Sequence, residues 1–76
     1  MVNLTEIVLN SDSPVVGKHL KEIALPENAL VAVVIRDNRP IVPRGGDLLL
    51  AADRLVLITL PENHGPALRA LTGERG

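Results

Sequence analysis

VAVVIRDNRPIVPRGGDLLLAADRLVLI, Val31 to Ile58, alternates short apolar runs with polar turns at close spacing. Strand-length runs separated by a few turn-forming residues are the pattern of an antiparallel meander. Leu30 to Ile35 is apolar at every position, which predicts a central strand covered on both faces. Asp37-Asn38 separates this run from Pro40-Ile41-Val42, and Asn accepts the left-handed backbone of a tight hairpin. Pro40 has no amide donor, so the third strand is expected to be short or at an edge. Pro43 to Asp47 forms a second turn, Leu48 to Leu50 a brief extended piece, and Ala51 to Asp53 a third turn before a strand over Arg54 to Leu60.

Upstream, VNLTEIVL at residues 2–9 reads as a first strand, with Leu4 and Val8 on one face and Thr5, Ile7 and Leu9 on the other. Ser13 followed by Pro14 is a helix-start signal. Val16, Leu20 and Ile23 then fall on one stripe, which predicts a helix from about Pro14 to Glu22. Downstream, Pro61 to Gly65 reads as irregular or as a first helical turn. A short helix follows over Pro66 to Thr72, with Gly73 placed to end it. The expected fold class is α+β: a two-layer sandwich of a mainly antiparallel four- to five-stranded sheet, a helix after strand 1 and a short C-terminal helix.

At 76 residues the chain suits one domain, and a domain this small buries only about 60–65% of its unfolded surface. Self-association is an expected source of added stability. The absence of cysteine excludes disulfides, thiolate metal sites and thiol nucleophiles. The chain contains no aromatic residue, so no ring is available to stack on a nucleic-acid base. Eight Lys and Arg against nine Asp and Glu give a net charge of −1, opposite to the sign that phosphate binding needs. No apolar run reaches the ~18 residues of a membrane span.

The block Gly17-Lys18-His19-Leu20-Lys21-Glu22-Ile23, the strand VAVVIR, Ile41-Val42-Pro43, Asp47 and DRLVLI at Asp53 to Ile58 together resemble the C-terminal (TrkA-C) domain of RCK proteins, regulators of potassium conductance. The blocks keep the family's order and spacing from about Leu4 to Leu71. Two positions depart from the family pattern: Ala52 stands where Gly is usual, and Leu48 where Thr is frequent. Ala disfavours positive φ, so a different turn type is expected around residue 52. The resemblance implies a cytoplasmic regulatory domain, expected to be a fragment of a longer transport protein covering residues 1–76. It would serve a potassium channel or transporter or a cation/proton antiporter, and act as a homodimer beside a membrane transport subunit or domain.

In relatives that look similar and bind cyclic di-AMP, the nucleotide sits across the two-fold axis. The candidate ligand-binding positions are Leu25, Leu30, Val31, Arg36, Ile41 and Pro43: the resemblance maps Val31 and Pro43 to the apolar wall, and Arg36 stands beside the hairpin, where it could meet an anion. The phosphate-contacting positions fall near Ala24 or Leu25 and at Leu30, which carry no donor side chain. Charge-assisted bonds to phosphate would supply much of the selectivity, so cyclic di-AMP is disfavoured as the ligand and no other cofactor is named. Asp47 and Asp53 are expected to bond their own turns rather than to work as a catalytic pair. His19 and His64 lack a metal-ligand spacing. The expected function is non-enzymatic ligand sensing coupled to cation transport; the alternative is an AbrB-like DNA-binding regulator, suggested by the strand–turn–Gly-Asp–strand look of residues 41–58.

Overall fold

The computed structural model describes residues 1–74. Strands β1 (Asn3–Val8), β2 (Ala29–Arg36), β3 (Arg39–Ile41) and β4 (Arg54–Thr59) form one antiparallel sheet in the order β1-β4-β2-β3. Helix α1 (Pro61–Thr72) follows β4 directly. Residues on one face of the sheet, Ile7, Val31, Val34, Leu55 and Leu57, are buried with Leu49 and with Ala67 and Leu71 of α1. These aliphatic side chains supply the hydrophobic driving force, since no aromatic is present.

Asp37 and Asn38 both have positive φ, 52° and 62°, the paired left-handed residues of a two-residue hairpin turn. β3 is three residues long and lies at the sheet edge, as its proline requires. α1 begins at Pro61 rather than Pro66, because Pro61 occupies the favourable first position. It continues through Pro66 and ends at Gly73, whose φ of 75° and amide bond to the Arg69 carbonyl (2.8 Å) make a left-handed cap.

Three expectations need correction. The helix over Pro14 to Glu22 is replaced by tight turns and a single 3-10 turn at Leu20–Glu22. The Ser13 hydroxyl donates instead to the Leu71 carbonyl at the end of α1 (2.6 Å), and Gly17 turns left-handed at φ 85°. The backbone beyond it is taken up by the 45–49 segment. Gly17 N–H donates to Leu49 O, Leu49 N–H to Lys18 O, Leu20 N–H to Asp47 O and Lys21 N–H to Gly45 O, all within 2.8–3.0 Å. Bonds made across the chain replace those a helix would have made within it. Val16, Leu20 and Ile23 still pack against the core, half-buried.

The second correction concerns β2, which is interior in the sheet but covered on one face only. Val31 and Val34 are buried, while Leu30 is 59% exposed. A bulge between Val31 and Val33 shifts the β2–β4 register by one residue. Before the bulge Val31 faces the core; after it Val34 does, and the same parity carries Arg36 inward.

The third concerns Ala52, which takes the left-handed conformation that its Cβ disfavours, with φ 73°, so the turn does not avoid positive φ as expected. Its amide donates to the Leu9 carbonyl at 2.8 Å, which holds the backbone in place. A Cβ in this region costs about 1–2 kcal/mol, partly offset because glycine would add about 0.4–1 kcal/mol of unfolded-state entropy. Ala52→Gly is therefore expected to stabilise the domain by about 0.5–1 kcal/mol, seen as a higher urea midpoint at unchanged m-value. A lower midpoint would mean that the methyl group's packing outweighs the backbone strain.

Candidate functional site

Three of the six sequence-derived ligand positions meet in one place. Arg36, Ile41 and Pro43 line a groove of about 70 Å³ beside the β3 edge with Val34, Asp47, Leu48 and Leu49. β2 and β3 bring Arg36 and Ile41 there through the hairpin, and the chain leaving β3 adds Pro43. The other three positions lie elsewhere. Leu25 is half-buried against the core, Val31 is 4% exposed within it, and Leu30 opens onto the opposite sheet face. There it borders a wider hollow with Val2, Asn28, Ile58 and Leu60.

The groove is apolar except for Arg36 and Asp47. The Asp47 carboxylate accepts the Arg44 amide at 2.8 Å, the turn bond expected of it. Arg36 reaches back from the groove to Asp53: Nε donates to Oδ1 at 2.8 Å and Nη2 to Oδ2 at 2.7 Å. Nη2 also donates to the Leu48 carbonyl at 3.0 Å. Asp53, only 1% exposed, accepts the Leu50 amide as well (2.8 Å). The expected turn bond is therefore present, and the ion pair is added to it.

Burial alone would push the Asp53 carboxyl up. The Arg36 hydrogen bonds, the Leu50 amide and the Arg36 charge outweigh burial and hold it below its ordinary value. The same hydrogen bonds raise Arg36, against a smaller opposing effect of burial. Arg36 Nη1 makes no hydrogen bond among the described residues, which leaves two donors without a partner on a residue that lines the groove. That arrangement suits a mostly apolar ligand group carrying an acceptor. The nearby carboxylates of Asp47 and Asp37 work against a highly charged anion.

The clamp was readable in principle. The post-bulge register pairs Val34 with Leu55 and Ile35 with Arg54, so its next step sets Arg36 opposite Asp53. What hid it was the bulge, which has no mark in an all-apolar run. His19 bonds Glu22 through its amide (2.8 Å) and Nδ1 (2.7 Å), chiefly closing the 3-10 turn. Among the described residues no three His, Cys, Asp or Glu side chains gather at metal-binding distance.

A model of the TrkA-C domain family matches residues 4–71. The chain belongs to that family. This TrkA-C domain is 36% identical over 62 residues to a Trk system potassium uptake protein, trkA homolog 1, of Methanosarcina mazei. The match covers 82% of this chain and 15% of the relative. It is 33% identical over 69 residues to the Trk system potassium uptake protein TrkA of Mycobacterium tuberculosis, covering 91% of this chain and 31% of that protein. The chain thus spans less than a third of the length of these curated relatives. Among solved structures it is similar to an RCK domain with cda, with a TM-score of 0.76 and 25% identity over 90% of this chain and 96% of that one. Among the described residues no helix is long and apolar enough to cross a membrane.

Proposed function

We propose that this TrkA-C domain is a cytoplasmic, dimeric, ligand-sensing regulator of a potassium or related cation transport system, working beside a membrane transport subunit or domain. The observation that carries the reading is the groove at Arg36, Ile41 and Pro43, set in a family whose matched relatives are potassium uptake proteins. A ligand held between two protomers biases transport only by preferring one arrangement of the pair over another. The groove alone is small for a whole nucleotide, and a second protomer would complete the enclosure. Leu25 and Leu30 still offer no donor to a phosphate, which supports a ligand other than cyclic di-AMP, although one solved relative is an RCK domain with cda. The swapped-hairpin, DNA-binding alternative, read from residues 41–58, draws no support from a sheet in which β3 pairs with β2 and not with β4.

The test is thermal unfolding of the 76-residue chain with adenine and guanine nucleotides, cyclic di-AMP included. A ligand at a hundred times its Kd stabilises by about 2.7 kcal/mol. For a domain of this size that is a rise in Tm of about 10 °C or more. The expected result is such a rise with at least one mono- or dinucleotide, a smaller or absent rise with cyclic di-AMP, and loss of the rise in Ile41→Ala. No rise with any compound, together with a clean monomer at high micromolar concentration, would overturn the reading.

A further inference from the structure

We propose that the open β1 edge takes up an extended, lysine- or arginine-bearing segment as a fifth strand, antiparallel to β1, of the kind a membrane transport subunit presents to the cytoplasm. The edge follows from the backbone geometry; that the segment comes from a transport subunit rests on the regulatory reading above. The sheet has two edges, and they differ. β3 is three residues long and carries Pro40 beside Arg39, which are the usual devices that blunt an edge. It also flanks the groove that a second protomer would enclose. β1 is six residues long, NLTEIV, with no proline, lysine or bulge. It lies at the far end of the sheet, beyond β2 and β4, so it stays free when the β3 side is occupied.

The hydrogen-bond parity of β1 is fixed by its surroundings. Leu9, which continues the β1–β4 register, donates its amide to Asp53 O at 2.9 Å. In an antiparallel ladder alternate residues bond the neighbouring strand, so the backbone groups of Asn3, Thr5 and Ile7 bond β4. The Leu60 amide bonds Asn28 O at 3.2 Å, which assigns the even residues of β4 to β2 and agrees with this parity. The amides and carbonyls of Leu4, Glu6 and Val8 therefore point to the open edge. Among the described residues they make no hydrogen bond there. A row of alternate open amides and carbonyls is matched by an extended strand, whose main chain supplies affinity and whose alternate side chains supply specificity.

The side chains of β1 state what that strand must carry. On the open face of the sheet Val2 is 58%, Leu4 67% and Val8 54% exposed, and Glu6 is the one charge in their row. Glu6 is loosely held: its carboxylate lies 3.4 Å from Arg54 Nε, and both side chains are more than half exposed. On the helix side Ile7 is buried, while Asn3 and Thr5 are polar and half-buried. An antiparallel strand in register with this edge therefore sets an apolar residue opposite Val8, a cation opposite Glu6 and apolar residues opposite Leu4 and Val2, with polar residues between them. Lysine and arginine are the charges that membrane proteins concentrate in their cytoplasmic segments near the spans. Charge complementarity at Glu6 thus favours a segment of that origin over an acidic one.

The probe is a blocked heptapeptide of that pattern, Val-Thr-Lys-Thr-Val-Thr-Val, added to the wild-type chain, with amide hydrogen exchange read residue by residue. With the peptide at about ten times its Kd, exchange at Leu4, Glu6 and Val8 is expected to slow about tenfold, with no slowing at Arg39 and Ile41 on the other edge. In the proposed register the lysine and the valines bond β1 and the threonine amides point away. N-methylation of the lysine and the middle valine should therefore weaken binding about tenfold or more, and N-methylation of the threonines should leave it nearly unchanged. Replacing the lysine of the peptide by glutamate should weaken binding about fivefold, a difference that Glu6→Gln should remove. No slowing at Leu4, Glu6 and Val8 with millimolar peptide would overturn the docking edge, while the ligand-sensing reading of the groove, tested separately with nucleotides, would stand. Equal loss from both methylation patterns would overturn the assigned parity, and equal binding of the lysine and glutamate peptides would overturn the basic character of the segment. Slowing of the same three amides on concentrating the chain alone would place a second copy on this edge and overturn the transport segment as its occupant.

Discussion

Arg36→Leu is expected to cost about 3–5 kcal/mol at neutral pH, because it strands a buried carboxylate, and to reverse the pH dependence of stability. Asp53 is 1% exposed and loses two charge-assisted bonds, keeping only the Leu50 amide. Typical domain stability is only about 5–15 kcal/mol, so the variant should be substantially unfolded in modest urea. In the wild type the Asp53 carboxyl is lowered on folding. Its contribution is present above the unfolded pKa and is lost as pH falls through the folded value. In the variant, burial without a cation raises the carboxyl instead. The protonated form is then compatible with folding, and the contribution is full below the unfolded pKa and lost as pH rises through the folded value. Urea midpoints at neutral pH and near the ordinary carboxylate pKa of about 4 check this: the wild type should weaken on acidification and the variant should recover. Adding Asp53→Asn to the variant should flatten the difference. An Arg36→Leu protein that weakens on acidification as steeply as the wild type would show that Arg36 does not set the ionisation of Asp53.

The meander from Val31 to Ile58 was legible because its signals are local. Asp37-Asn38 and Pro40 each constrain their own backbone, so hairpin and edge strand follow from residue type alone. The alternation in β4 is equally local: Leu55 and Leu57 are inside, Arg54 is outside, and Val56 and Ile58 are only half-covered. Family membership was legible too, because it rests on block order over residues 4–71. The candidate site was only half legible. Arg36, Ile41 and Pro43 share a groove because the hairpin is local, whereas Leu25, Leu30 and Val31 scatter because their directions depend on the bulge and on packing from distant segments. The largest misreading, a helix over Pro14 to Glu22, has the same origin. Ser13-Pro14 and the Val16, Leu20, Ile23 stripe are sound local signals, but the 45–49 segment competes for the same backbone groups, and tertiary pairing overrides propensity.

That competition has a consequence that can be measured. Leu49 is 0% exposed, and its amide and carbonyl bond Lys18 and Gly17, so one residue fastens the 44–50 segment both to the core and to the 17–21 turns. Leu49→Ala should cost about 2–5 kcal/mol from lost burial and the cavity left behind. The loss should also be uneven. The amides of Gly17, Leu20 and Lys21 depend on the 44–50 segment staying seated, whereas those of Leu55 and Leu57 are held between β1 and β2. If the two segments open as one sub-global unit, hydrogen exchange at Gly17, Leu20 and Lys21 should accelerate by a larger factor than at Leu55 and Leu57. Equal acceleration at all five amides would show that this layer has no independent opening and that the domain unfolds as a single unit. The groove residues Leu48 and Leu49 lie in this segment, so an uneven result would also identify the part of the domain most easily rearranged by a ligand at Arg36, Ile41 and Pro43.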